Sequence, residues 1–404
     1  MEYKSSFQNR RGFLLFSLGT AGGRLKLMDS EQQAEKKPDS DKGASKVKIE
    51  TISSHQFPYI EVSGNSFEMG YQHGVQVPDL IEKYLLLIER ITHKSRDTLC
   101  RNARAYVSLL EKFSLSFVEE LKGLANGAGI SFEEAVVCQL RGSAAYSVAQ
   151  EGCTSFAMTG SATKNGLTYA GQNQDMEPEM ADVGIVLHLK PTDGRPRIIN
   201  FTFAGEIGYH GMNSLGVAEF ANALDGGKPF VADAKAGLAL SHYPIKRGML
   251  ESKNVQECIN LYKTHRVNGP ANAMLCDGQG NIADLEVRPE LQVAEFKDES
   301  PSFIGHANHY VTNEFADPGR DNPNSSSHIR HKRIHTLVKE NWGNITVDMI
   351  KKILADHEGD PGGICRHGLE GSHSICGYVA EANKSIFHVR RGHGCIGTWT
   401  AYEV

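Results

Sequence analysis

No stretch of this chain approaches the roughly 18 consecutive apolar residues that a helix needs to cross a bilayer, so no membrane span is expected. There is no basic stripe and no interleaving of basic with aromatic residues. The formal net charge is -5, which argues against nucleic acid as a partner. The cysteines Cys100, Cys138, Cys153, Cys258, Cys276, Cys365, Cys376 and Cys395 are spread thinly through a long chain, so no disulfide framework is indicated. No internal repeat stands out. What remains, 404 residues with 40% hydrophobic and 23% charged, is the composition of a soluble globular protein. It is long enough for one large domain or two smaller ones.

The first residues are of a different kind. Asn9-Arg10-Arg11-Gly12-Phe13-Leu14-Leu15 is similar to a twin-arginine export signal and runs into a short apolar stretch, Phe13 to Ala21. That stretch ends at Arg24 without a small-residue cleavage site, so export and a cytoplasmic location both stay open. Asp29 to Lys46 is charged and poor in large apolar residues, as a linker is. The expected organisation is a signal or tail with linker over 1–46, a helical part over 47–152 and a β-rich catalytic part over 153–404.

Two periodicities divide the rest. From about Ser66 to Tyr146 apolar residues recur at helical spacing, as in Ile81, Tyr84, Leu85 and Ile88, and in Phe113, Phe117 and Leu121. Gly127 and Gly129 read as stops, and Ser131 with Glu134 as a capping box. After Gly152 the period becomes two. Ile185, Leu187 and Leu189 alternate with Val186, His188 and Lys190, and Asp193-Gly194 and Asp277-Gly278-Gln279-Gly280 read as hairpin turns. Helices return near Val255–His265, His328–Asn341 and Val347–Asp356, and short strands close the chain. Sequential strands with segregated helices predict an α+β protein with mostly antiparallel sheets.

The switch between the two periods falls at Gly152-Cys153-Thr154-Ser155. A lone cysteine at a strand start is ordinarily a small buried hydrophobe. After a glycine it also has a chemical use. Nothing blocks the approach of its thiol to the preceding carbonyl, and glycine tolerates the backbone geometry that such an attack needs. An N-to-S acyl shift followed by hydrolysis would free an α-amine on Cys153. That amine, with an unperturbed pKa of roughly 8, is suited to act as base for the adjacent thiol at about 8.5.

With these residues in hand, the chain resembles the penicillin acyltransferase-like family of cysteine N-terminal-nucleophile hydrolases. The likeness rests on Gly152-Cys153-Thr154-Ser155, Gly171-Gln172-Asn173-Gln174-Asp175, Ala271-Asn272-Ala273-Met274, Ala307-Asn308-His309-Tyr310, Ser326 to Ile334 and Gly363-Ile364-Cys365-Arg366-His367, in that order. It begins near Ile60 and includes Ser63 to Gly74 as an opening strand-to-helix segment. The resemblance implies a four-layer αββα sandwich, cut between Gly152 and Cys153 into a small and a large chain that stay together.

It also implies roles: Cys153 as nucleophile, Asp175 as the orienting acid, Asn272 as donor to the tetrahedral oxyanion and Arg330 as the site's cation, with Arg333 the alternative three residues on. Thr154, Asn173, Asn308 and His309 would line the pocket. An Asn amide suits a preorganised oxyanion donor and arginine's fork suits a buried carboxylate. No cofactor or metal is implied. The partner would be a small-molecule amide or acyl donor, and an oligomer stays open. The family commonly has Trp where this chain has Gln174, so an aromatic wall of the pocket is expected to be absent.

Each residue has a blander alternative. Asp175 could cap a turn, Asn272 could satisfy backbone at a strand entry, and Asn308 and His309 could be structural hydrogen-bonders. A different class of protein is suggested by Cys365-x-His367 and His373-x-x-Cys376, four soft ligands of the kind that hold tetrahedral zinc in a binding module. His328, His331 and His335, set among Arg330, Lys332 and Arg333, read as a polar helix face. The preferred reading is a self-processing cysteine amidohydrolase or acyltransferase. It would act through a thioester on Cys153 on a linear amide such as an N-acyl amino acid or a β-alanyl amine. An N-terminal-nucleophile peptidase is the alternative within the same fold.

Overall fold

The computed structural model describes residues 55–141, 152–229, 237–368 and 372–404. The expectations for the signal and linker over 1–46, and for the residues just ahead of Gly152, lie outside them.

The chain opens with strand β1 (Tyr59–Gly64) and five helices: α1 (Ser66–Gln76), α2 (Pro78–Thr92), α3 (Arg96–Phe113), α4 (Leu115–Ala128) and α5 (Phe132–Cys138). Ser131 and Glu134 form the expected capping box at α5. Two local expectations change. Phe113 and Phe117 lie on different helices, because the chain breaks at Ser114, which caps α4 from an extended conformation. Gly127 does not stop a helix. It lies inside α4, where a Cβ would stand 2.1 Å from the Tyr71 carbonyl oxygen of α1, so glycine is what lets these two helices touch backbone to backbone. Gly129, at φ 69°, is the stop.

The remainder builds two sheets. The first holds β1, β4 (Gly184–Pro191), β5 (Ile198–Phe203), β6 (His210–Asn213), β7 (Ala218–Phe220), β8 (Ala271–Cys276), β9 (Ile282–Arg288) and β10 (Gln292–Phe296) in that order. The second runs β11 (Phe303–His306), β2 (Gly152–Gly160), β3 (Gly166–Met176), β12 (His373–Glu381), β13 (Ile386–Arg391) and β14 (Trp399–Glu403). Every pairing is antiparallel except β1 with β4.

The sheets pack face to face, β2 and β3 against β8. Helices α1, α6 (His242–Leu250) and α7 (Val255–Thr264) cover the first sheet from outside, and α8 (Ser326–Glu340) and α9 (Val347–Ile353) cover the second. This is the four-layer αββα sandwich with mostly antiparallel sheets. It explains why β4 and β5 are buried along almost their whole length and do not show one dry and one wet face: each lies between a helical layer and another sheet. Even His188 and Asn200 are buried there. The outer helices are fastened by a fully buried pair, with Arg247 of α6 donating two 2.9 Å hydrogen bonds to Glu120 of α4. Breaking such a pair costs about 3–5 kcal/mol.

Candidate active site

Strands β2 and β3 pair Gly152 with Asp175, Cys153 with Gln174 and Thr154 with Asn173. Because side chains alternate across a strand, this register sorts the site into two faces. Cys153, Ser155, Gln172 and Gln174 point between the sheets, where Gln172 donates to the Ala221 carbonyl at 2.8 Å and Asn222 donates to Ser155 Oγ at 2.8 Å. Thr154, Asn173 and Asp175 point the other way, toward α8 and the loop after α9. Asn173 Nδ2 donates to the carbonyls of Leu354 and Ile364 at 2.8 and 2.9 Å, and Arg390 donates to its Oδ1 at 2.9 Å. Asn173 therefore ties strand to loop and is structural in this arrangement.

The Cys153 thiol is buried, with the whole residue 1% exposed. Its backbone N–H donates to Asn308 Oδ1 at 2.9 Å. Arg330 projects from α8 into the same point. Its Nη2 donates to Asn308 Oδ1 at 2.7 Å, its Nη1 to Thr154 Oγ1 at 3.0 Å and to the Cys153 carbonyl, and its Nε to Ser326 Oγ at 3.1 Å. Asn308 Nδ2 donates to the Ala223 carbonyl at 2.8 Å, which fixes the amide's orientation. Burial lowers the Arg330 pKa to about 10 even with Asp175 nearby, so the guanidinium stays charged at neutral pH. Of the two candidate arginines, Arg330 is the one that reaches Cys153 and Asn308. Arg333 points away and pairs with Asp356 at 2.7 Å and Glu358 at 2.8 Å.

Asp175 is fully buried. Its Oδ1 accepts from Ser374 Oγ at 2.6 Å, and its Oδ2 has no hydrogen-bond partner among the described residues. Burial raises its pKa to about 6, against the opposing pull of Arg330, the Ser374 hydroxyl, Arg366 and Arg390. The free oxygen faces Gly152: a Cβ built there would stand 3.0 Å from Asp175 Oδ2 and 2.6 Å from Arg366 Nη1. A carboxylate and a guanidinium thus close on the α-carbon before Cys153, in space that a side chain would need.

Asn272, expected as the oxyanion donor, makes other contacts in this structure. It is buried on β8, its Nδ2 donates to Asp284 and its Oδ1 accepts from the Asn222 N–H at 3.2 Å. Asn308, not Asn272, hydrogen-bonds Cys153. His309 turns to Ser327 Oγ at 2.7 Å and stacks on His328 with ring centroids 3.7 Å apart; burial, then His331 and His328, push its pKa down to about 2. His328, His331 and His335 are accordingly half-buried members of a ring stack and do not form a free polar face. Sequence reasoning missed Ser374, Arg366 and Arg390. Arg366 stands inside the Gly363–His367 motif, but no spacing tells that its side chain reaches Gly152. The zinc-type set of Cys365, His367, His373 and Cys376 does not assemble. Cys376 Sγ lies 2.7 Å from the Tyr378 hydroxyl on the inter-sheet face, while Cys365 and His367 meet other partners.

A family profile described as acyl-coenzyme A:6-aminopenicillanic acid acyl-transferase matches residues 161–392. The chain belongs to that family. This penicillin acyltransferase-family protein is 30% identical over 322 residues to the 40 kDa form of acyl-coenzyme A:6-aminopenicillanic-acid-acyltransferase from Emericella nidulans, a match covering 78% of this chain and 85% of the relative. Among solved structures it is similar to a conjugated bile acid hydrolase from Clostridium perfringens, at 13% identity and TM-score 0.42, over 62% of this chain and 97% of that one. It is also similar to a penicillin V acylase from Agrobacterium tumefaciens, at 10% identity and TM-score 0.42, over 62% and 86%. The family member described here is an enzyme of the acyltransferase and amidohydrolase kind, acting on amide bonds.

Proposed function

We propose that the protein cuts its own Gly152–Cys153 bond and then uses Cys153 as the nucleophile of an amidohydrolase or acyltransferase for linear amides. The observation that carries this reading is the convergence on one peptide bond. Asp175 Oδ2, unpartnered and buried, faces Gly152 from one side, and Asn308 Oδ1 accepts the scissile N–H from the other.

In the first step Cys153 Sγ attacks the Gly152 carbonyl carbon, the C–N bond breaks, and the acyl group passes to sulfur as a thioester. The thiol proton ends on the departing amine. Water then hydrolyses the thioester, leaving a carboxylate on Gly152 and a free thiol and α-amine on Cys153. That amine stays where the peptide N–H was, against Asn308 Oδ1, and becomes the base for its own thiol. The same chemistry on a substrate amide gives an acyl thioester and releases the amine. Water or a second amine then takes the acyl group. Arg330, still charged at neutral pH, anchors Asn308 and the Cys153 carbonyl throughout.

The two chains of the cut enzyme would share the αββα sandwich. An N-acyl amino acid or β-alanyl amine remains the proposed substrate class, and the Emericella relative's name supports acyl transfer. Gln174, polar and buried beside Cys153, offers no aromatic wall for a ring-bearing acyl group.

Intact mass of the wild-type protein beside Cys153→Ala tests the proposal. Two fragments, the larger beginning at Cys153, are expected from the wild type, and one uncut chain from the variant. With an amide substrate, hydroxylamine should intercept the acyl thioester and release a hydroxamate with the cut protein only. A wild-type chain that stays whole on long incubation, with a thiol inert to alkylation, would sink the reading.

A further inference from the structure

Away from Cys153, two loops bring four soft ligands together. His357 follows α9, Cys365 and His367 precede β12, and Cys395 lies between β13 and β14. His367 Nε2 is the hub. It lies 3.0 Å from His357 Nε2, 3.3 Å from Cys395 Sγ and 3.6 Å from Cys365 Sγ, and all four ligand atoms fall within 4.8 Å of one another. An imidazole nitrogen has one proton or one lone pair and can complete one hydrogen bond, so three polar atoms converging on it exceed what it can satisfy. A single cation at their centre satisfies all four.

We propose that His357, Cys365, His367 and Cys395 form a structural zinc site. Zinc takes Cys2His2 sets at about 2.0–2.1 Å to nitrogen and about 2.3 Å to sulfur, which puts tetrahedral neighbours about 3.3–3.8 Å apart. The three separations from His367 need shifts of only a few tenths of an ångström to match, and the other pairs, all within 4.8 Å, need shifts of at most about 1 Å. Closed four-residue sets with no open position are structural, not catalytic. The backbone N–H groups of Gly394 and Cys395 are directed at Cys365 Sγ, and His393 stacks on His367 at 4.1 Å, holding the ring in place. The loop from 356 to 365 is also closed on itself, with the Cys365 N–H donating to the Asp356 carbonyl at 2.9 Å.

This set is only half the one that sequence spacing suggests, since His373 and Cys376 are replaced by His357 and Cys395. The site has a consequence for the active centre. Cys365 and His367 flank Arg366, whose guanidinium closes on Gly152, so the metal would pin the segment that carries it. That consequence rests on the self-cleavage reading; the metal content does not.

The test uses tag-free, full-length protein and its Cys153→Ala variant, grown with zinc and purified without chelator. Elemental analysis should give one zinc per chain in both, which also excludes Cys153 as a ligand. Replacement by cobalt should give the intense visible bands and near-ultraviolet sulfur-to-cobalt absorption of a tetrahedral thiolate site. Cys395→Ser and His357→Ala, both at exposed positions, should each lower zinc retained against a mild chelator by at least about tenfold, whereas His373→Ala should keep it. The proposal is overturned if reduced protein binds neither metal. It is equally overturned if Cys395→Ser and His357→Ala retain zinc as the wild type does, or if a Cys365–Cys395 disulfide is found in protein isolated without exposure to air.

Discussion

Asp175 Oδ2 stands 3.0 Å from the point where Gly152 would carry a Cβ, and among the described residues no group hydrogen-bonds that oxygen. A buried carboxylate oxygen left unsatisfied is costly, and such exceptions gather where a proton is to be held or moved. Here the oxygen faces the glycine that precedes the proposed cut. Gly152→Ala is therefore expected to keep the fold, since β2 would remain paired, but to push Asp175 and Arg366 aside. Self-cleavage should slow by at least about a hundredfold, as misplacement near 1 Å does elsewhere. The fraction of uncut chain over time measures it, and cleavage at the wild-type rate would contradict the role of this contact.

The pH dependence follows from the same residue. Burial lifts the Asp175 pKa to about 6, so the carboxylate predominates above that pH and the neutral acid below it. If the ionised form orients Cys153, the rate of self-cleavage should fall about tenfold per unit as pH drops below 6. Asp175→Asn should remove this acid limb and leave a slow, pH-insensitive rate there. An unchanged limb in the variant would assign the titration to another group.

Arg330 and Arg333 make a paired comparison three residues apart. Arg330→Lys keeps charge but loses the fork that holds Asn308, Thr154 and the Cys153 carbonyl together, so cleavage should drop by roughly 10²-fold. Arg333→Ala removes a pair with Asp356 at the surface, and should cost less than about 1 kcal/mol of stability with cleavage unchanged. Similarly, Asn308→Ala should slow cleavage more than Asn272→Ala, because only Asn308 bonds Cys153. Rates for the four variants under one condition decide both comparisons, and the reverse order would restore Asn272 to the centre.

Much of the architecture was legible because the hydrophobic period changes at Gly152, where the helices give way to sheets. The capping box at Ser131 and the turn at Asp277-Gly278 are chemically local and stand where expected. What escaped depends on partners far away in sequence. Helix α6 hides its burial behind charge, since Arg247 looks like a surface residue until Glu120 meets it. Gly127 looks like a stop until α1 arrives against it. Cys153, Asp175 and Arg330 do converge, but the amide between them belongs to Asn308. Choosing between two Asn-bearing motifs needed the position of Asp284, which claims Asn272. For the metal-type residues, spacing found the near pair Cys365 and His367 and could not find His357, further back in the same loop, or Cys395, which arrives from the loop between β13 and β14.

Asp284 belongs to a charged cluster whose titration should be visible in stability. His306 of β11 is fully buried, with Nδ1 2.9 Å from the Ala307 carbonyl and Nε2 3.1 Å from Glu286 Oε1 and 3.7 Å from Asp284 Oδ2 on β9. Both nitrogens face acceptors, so only the doubly protonated ring can donate to both. Burial alone would lower its pKa, but Asp284 and Glu286 outweigh burial and raise it to about 9. A raised histidine pKa means the folded state holds a proton that the unfolded chain gives up near 6.5. The contribution is therefore complete below pH 6.5 and is lost as pH rises through about 9. Since β9 and β11 belong to different sheets, this loss loosens the junction between them. The wild-type melting temperature should fall across that window, while His306→Gln should start lower by on the order of 2–3 kcal/mol and change less with pH. Parallel slopes for the two proteins would mean that His306 is neutral in the folded state and that the junction is held by hydrogen bonds alone.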